Sequence, residues 1–63
     1  MLDDHVYDLM MQMIAENKSL WRIKNNYKTD ADCDECRDFW NRMEKDKEEH
    51  ISELGELIKS HMS

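Results

Sequence analysis

Apolar residues recur along the first half of the chain at steps of three and four, the spacing that puts side chains on one face of an α-helix. The repeat skips one place, which Glu16 occupies. Because a sustained seven-residue repeat is typical of helices that pack against other helices, the pattern predicts a helix from about residue 3 to about residue 27. The apolar stripe consists of Leu2, Val6, Leu9, Met13, Leu20, Ile23 and Tyr27.

A second stripe with the same spacing follows a polar segment of low helix propensity. We expect the turn within that segment, at about residues 28–31. Asp32 and Glu35 resemble a capping box, so a second helix is predicted from about residue 32 to about residue 61. The second stripe consists of Cys36, Trp40, Met43, His50, Leu54 and Leu57, with Lys47 in one core place.

Two helices joined by one turn predict an all-α fold, an antiparallel two-helix hairpin that forms a single domain over residues 1–63. The chain has no proline and one glycine, Gly55, whereas sheets with tight turns normally use both. Folding the chain back near residue 30 would place Trp21 beside Phe39 and Trp40. The expected result is an aromatic cluster near the turn.

The two stripes carry more apolar surface than a lone pair of helices can cover. Ordering each residue costs about 1.5 kcal/mol, and a two-helix chain buries little area against that cost. We therefore expect association, either with a second hairpin in a homodimeric four-helix bundle or with a helical partner protein. The residues predicted to form the interface are Val6, Leu9, Met13, Leu20, Trp21, Trp40, Met43, Leu54 and Leu57.

Composition narrows the classes of function. Charged residues make up 38% of the chain, the mean hydropathy is −0.97, and no apolar run approaches the ~18 residues of a membrane span. The net charge of −6 disfavours nucleic acid as a partner. The acidic N-terminus lacks the features of a signal peptide, so we expect a cytoplasmic protein. No Ser/His/Asp set or Gly-rich phosphate loop occurs, and no catalytic role is predicted.

Cys33 and Cys36 form a CxxC motif in the first turn of the predicted second helix. The motif is half of a tetrahedral zinc site, which a symmetry mate would have to complete. It is also the spacing of a redox pair, because a helix N-terminus lowers the pKa of a thiol, although the surrounding acids oppose that effect. The third interpretation is structural, with Cys36 packed beside Trp40 and Cys33 at the surface.

Charged residues interrupt both stripes at matching levels. Folding the chain back brings Glu16 level with Lys47, and their opposite charges predict a core ion pair that would fix the helix register. The alternative is a metal site in the core of the bundle, because carboxylates and imidazole bind divalent metals. The candidate ligands are Glu16, Asp46, Glu49, His50 and Glu53.

The segment EKDKEEHISEL, residues 44–54, resembles the second helix of a ferritin-like diiron half-site. That family uses one glutamate on the first helix and a Glu-x-x-His motif on the next. Glu16 and His50 match the two outer elements, whereas Lys47 stands where the inner glutamate would be. The resemblance implies iron as a cofactor, and the CxxC motif implies zinc.

Overall fold

The computed structural model describes residues 4–62, which are helical except at residues 31–33. No strand occurs in this part of the chain, so the predicted all-α class is confirmed. The first helix continues without a break through a π-helical turn. The elements are α1, Asp4–Arg22; the π turn, Ile23–Tyr27; α2, Lys28–Asp30; and α3, Asp34–Met62.

The two long helices contact each other along their lengths, in reverse chain order. Near the termini the rings of His5 and His61 lie 4.8 Å apart, and near the turn those of Tyr27 and Trp40 lie at the same distance. The molecule measures 47 Å by 16 Å by 12 Å, so it is only two helices wide. Its interior is therefore a single seam between α1 and α3.

The turn lies at residues 31–33, so it begins three residues later than the predicted position at about 28–31. The polar segment is helical rather than a loop, and it forms a π turn in which the Lys28 N–H donates to the Ile23 carbonyl. The Lys28 ammonium then reaches Glu44 of α3 at 3.0 Å, which ties the extra turn to the second helix. The predicted start at residue 3 and the first stripe member, Leu2, lie outside the described residues.

Helix α3 begins two residues later than predicted, and Cys33 rather than Asp32 caps it. The backbone N–H of Cys36 donates to the Cys33 sulfur at 3.3 Å, which satisfies one of the free amides of the first turn. The Arg37 guanidinium donates to the Ala31 carbonyl and to the Asp34 carboxylate, and so fastens the turn to the helix. A thiol therefore occupies the place that the capping-box pattern assigned to a carboxylate.

The apolar core of the described chain is thin, since Val6 and Ile23 are its only buried apolar side chains. The aromatic cluster contains Tyr27, Trp40 and Phe39, and the prediction that Trp21 belongs to it is wrong. The later turn moves the partner of Trp40 along the first helix from position 21 to position 27. Trp21 is left 60% exposed.

Candidate functional site: a buried carboxylate, a thiol pair and an open helix face

Glu16 is the one buried charged residue among the described residues, with 7% of its surface exposed. It lies midway along α1 at the place where the apolar repeat skips a member. One carboxylate oxygen, Oε1, accepts a hydrogen bond from Gln12 at 3.0 Å. The other, Oε2, lies 3.1 Å from the Lys47 ammonium and 3.7 Å from His50 Nδ1. The structure thus brings together the two residues predicted as a core polar pair.

Two opposing effects set the pKa of the Glu16 carboxyl. Burial raises the pKa, because it removes water from the charged form. Hydrogen bonds from Lys47 and Gln12, together with the positive charge of Lys47, outweigh burial and hold the pKa below the usual 4.5. Glu16 is therefore an anion at neutral pH, and the Lys47 ammonium, 3.1 Å from Oε2, neutralises its charge.

The surroundings of Glu16 do not fit a diiron half-site. A metal bound there would need the Oε2 atom that the Lys47 ammonium already neutralises. His50 is mostly exposed, and Asp46, Glu49 and Glu53 are exposed on α3. Within residues 4–62, no group of three or more His, Cys, Asp and Glu side chains is arranged to hold a metal ion. Zinc binding by Cys33 and Cys36 stays a prediction that would need thiols from another chain.

The two cysteines are free and exposed at the start of α3. Cys33 precedes the helix and Cys36 lies in its first turn, with their thiols within hydrogen-bonding reach of each other. The backbone N–H of Cys36 donates to the Cys33 sulfur at 3.3 Å, whereas the Cys36 sulfur receives no such backbone bond among the described residues. The cap therefore makes the two thiols chemically unequal.

The inequality appears in the pKa values of the two thiols. The pKa of Cys33 is lowered, first by the hydrogen bond from the Cys36 thiol and then by the backbone amides. The pKa of Cys36 is raised, because its ionisation would break that bond and place a second negative charge beside Cys33. The nearby carboxylate of Asp32 also raises the pKa of Cys36.

A second apolar face of α1, which the sequence interpretation missed, lies open away from the seam. Its four large side chains are between 48% and 60% exposed. They follow each other at steps of four, three and seven residues, so they share one side of the helix. Between the third and the fourth of these side chains, Lys18 lies on the same side of the helix. This α1 outer face consists of Tyr7, Met11, Ile14 and Trp21.

Most residues predicted to form an interface lie along the seam between α1 and α3, and their contact with a partner stays a prediction. Val6 is buried there, and six others are half-buried, whereas Trp21 and Leu57 are exposed. The sequence does contain a signal for the α1 outer face, because its first three members follow each other at steps of four and three residues. The longer apolar stripe on the neighbouring face accounted for the helix by itself, so this second row was not predicted. The half-buried members are Leu9, Met13, Leu20, Trp40, Met43 and Leu54.

Comparison of the chain with protein-family models, with curated proteins and with solved structures finds no match. Of the helices in the described part, none has the length and apolar character needed to cross a bilayer. A cytoplasmic location stays a prediction. The function proposed below is therefore based on the geometry of the described residues.

Proposed function

We propose that the protein acts by association, as an antiparallel helical hairpin whose α1 outer face docks on the same face of a second copy. The observation that carries the proposal is the row of half-exposed apolar side chains along that face. Apolar side chains scattered singly on a surface are ordinary, but a continuous row along one helix marks an interaction site. A second copy covers the row with an equally long apolar row.

The thin seam supports the same proposal. Two buried apolar side chains in residues 4–62 offset little of the conformational entropy lost on folding. Burying apolar surface contributes about 25 cal/mol per Å², so covering the outer face adds stabilisation that the seam does not supply. Two hairpins joined in this way make a four-helix assembly, the commonest closed form for such a unit.

Charge supports a second copy, in antiparallel orientation, as the occupant. Asp4 and Asp8 lie near the start of α1 and Arg22 at its end, all exposed and on the same flank of the outer face. A two-fold axis at Ile14 sets the first member of the row against the last and brings Arg22 of one copy between Asp4 and Asp8 of the other. A parallel pair would have its two-fold axis along the helices and would put this flank of the two copies on opposite sides of the interface, so Arg22 would not meet the acids.

The experiment is sedimentation equilibrium between about 1 and 200 μM, comparing the parent protein with Ile14→Glu. The parent is expected to form dimers, and the variant to dissociate at least about tenfold more readily, because a carboxylate would be buried at the two-fold axis. Asn41→Glu is the matched control, since it adds the same charge to an exposed site on α3.

Two results would contradict the proposal. One is a folded parent that stays monomeric at 200 μM, as judged by sedimentation and far-ultraviolet circular dichroism. The other is an Ile14→Glu variant that dimerises as strongly as Asn41→Glu. If association persists in Ile14→Glu but is lost when Leu57 is replaced by Glu, the interface lies on the exposed edge of α3 and the assignment to α1 is wrong.

A further inference from the structure

The cap of α3 joins two cysteines in an arrangement that the association of helices does not require. Both thiols are free and exposed, and one of them accepts hydrogen bonds at the start of a 29-residue helix. A serine would cap that helix as well as a thiol does. From this geometry we infer that Cys33 and Cys36 form a thiol–disulfide exchange site, in which Cys33 attacks a partner disulfide and Cys36 resolves the product.

The roles follow from where each sulfur lies. The Cys33 sulfur precedes the helix and receives the amides of its first turn, which stabilise a thiolate, the nucleophilic form. Cys36 lies three residues further along, in the first turn of α3, and its backbone N–H is the donor to the Cys33 sulfur at 3.3 Å. Two exposed sulfurs three residues apart, the first of them at the helix N-terminus, are arranged for a first attack by Cys33 and a second attack by Cys36.

The exchange balances with a disulfide, R–S–S–R, as the oxidant. The Cys33 thiolate attacks one sulfur, the R–S–S–R bond breaks, and one R–S⁻ leaves and takes a proton from water. Cys36 then loses its proton to water, and its thiolate attacks the Cys33 sulfur. A bond forms between the two cysteine sulfurs as the second R–S⁻ leaves. Two protein thiols are oxidised and one disulfide is reduced to two thiols.

Charge around the pair defines the class of disulfide. Asp30, Asp32 and Glu35 are exposed beside the cysteines. Arg37 is already bonded to Asp34 and to the Ala31 carbonyl, and Arg42 lines the groove beside Cys36, so acids outnumber cations around the pair. A negatively charged disulfide is therefore repelled and a cationic one attracted. Tyr27, Phe39 and Trp40 line open grooves of about 280 and 320 Å³ that reach Cys36, so apolar groups next to the disulfide are accommodated.

The first experiment maps the attacking sulfur by mass spectrometry. Reduced protein is mixed with 2-hydroxyethyl disulfide at pH 7, with EDTA present so that no metal masks the thiols. The parent is expected to lose the mass of two hydrogen atoms as its internal disulfide forms. Cys36→Ser should accumulate a mixed disulfide at Cys33, at least about fivefold faster than Cys33→Ser does at Cys36.

Alkylation of the unmodified protein with iodoacetamide keeps this test independent of the variants. Peptide mapping at partial reaction is expected to find Cys33 labelled several-fold ahead of Cys36. Equal labelling of the two thiols would overturn the roles. A parent that stops at the mixed disulfide, with no internal disulfide formed, would overturn the exchange site as a whole.

The second experiment tests the charge preference with cystamine, which is cationic, and glutathione disulfide, which is anionic. Cystamine is expected to react about tenfold faster at low ionic strength, and the difference should shrink in 1 M NaCl because salt screens the acids. Rates that are equal at low salt would overturn the proposed substrate class. These outcomes are read from the thiols alone, so they do not depend on whether the protein dimerises.

Discussion

The two long faces of α1 carry similar apolar spacing but meet different surroundings. The seam face packs against α3 and contains a buried carboxylate, Glu16, which Lys47 neutralises at 3.1 Å. The outer face contains no acid in its row, and its side chains from Tyr7 to Trp21 are about half exposed. Apolar periodicity therefore predicts that a face will be covered, but it does not say by what.

The largest effect is expected from removing the Lys47 charge, which neutralises Glu16 in the seam between α1 and α3. Lys47→Met is expected to lower the free energy of unfolding by about 2 kcal/mol, because it leaves the Glu16 carboxylate buried without its cation. Urea unfolding at one fixed protein concentration measures the effect, since association itself adds to stability.

Two further variants show whether an unpaired charge or lost packing lowers the free energy of unfolding. Lys45→Met is the matched control, because Lys45 is exposed on the same helix, and its effect should stay within about 0.5 kcal/mol. The double variant Glu16→Leu/Lys47→Met should recover to within about 1 kcal/mol of the parent, since an apolar pair can replace a buried ion pair. A double variant as unstable as Lys47→Met would show that lost packing, not an unpaired charge, causes the effect.

Exchanging charges beside the α1 outer face tests whether a second copy covers that face. Asp8→Arg and Arg22→Asp are each expected to weaken the dimer about tenfold, which is 1.4 kcal/mol, because each puts like charges together twice across the two-fold axis. An equimolar mixture of the two variants should recover the affinity of the parent. Sedimentation of the mixture and of each variant alone measures both effects.

The recovery is specific for contact between chains. Positions 8 and 22 lie about 21 Å apart along one helix, so they cannot meet within a single copy. A mixture that dimerises no better than either variant alone would rule out the antiparallel arrangement, even if the parent is a dimer.

Lowering the pH is expected to have the smallest effect on the stability of the seam between α1 and α3. Because the pKa of Glu16 is lowered in the folded chain, its contribution to stability is fully present above the ordinary carboxyl pKa of 4.5. That contribution is lost as the pH falls below 4.5 and through the lowered pKa. The free energy of unfolding should therefore drop more steeply between pH 5 and pH 3 in the parent than in Glu16→Gln, by at most about 1.4 kcal/mol per pH unit. Parallel curves would mean that Glu16 titrates alike in the folded and unfolded chains.

The sequence predicted the two helices, because their apolar residues repeat at the helical period. It also predicted that Glu16 and Lys47 meet, because a small error in the position of the turn shifts the level by no more than the reach of a lysine side chain. It did not predict the continuation of the first helix to Asp30. The asparagines of that segment favour a turn by propensity, but Asn25 donates its side-chain amide to the Trp21 carbonyl, and the Lys28–Glu44 ion pair holds the added turn. The ion pair joins residues sixteen positions apart, and helix propensities of a few tenths of a kcal/mol per residue carry no information about such a contact.

Sequence by itself determined the helical class of the described chain, its seam stripe and the residue types that can form an ion pair or a thiol pair. The tertiary structure decided the position of the turn, the choice of Cys33 as the helix cap, the neighbours of Trp40 and the exposure of the α1 outer face. The reason is physical. Periodicity is a local property of the backbone, whereas burial and the unequal hydrogen bonding of two thiols depend on which groups the folded chain brings within a few ångströms of each other.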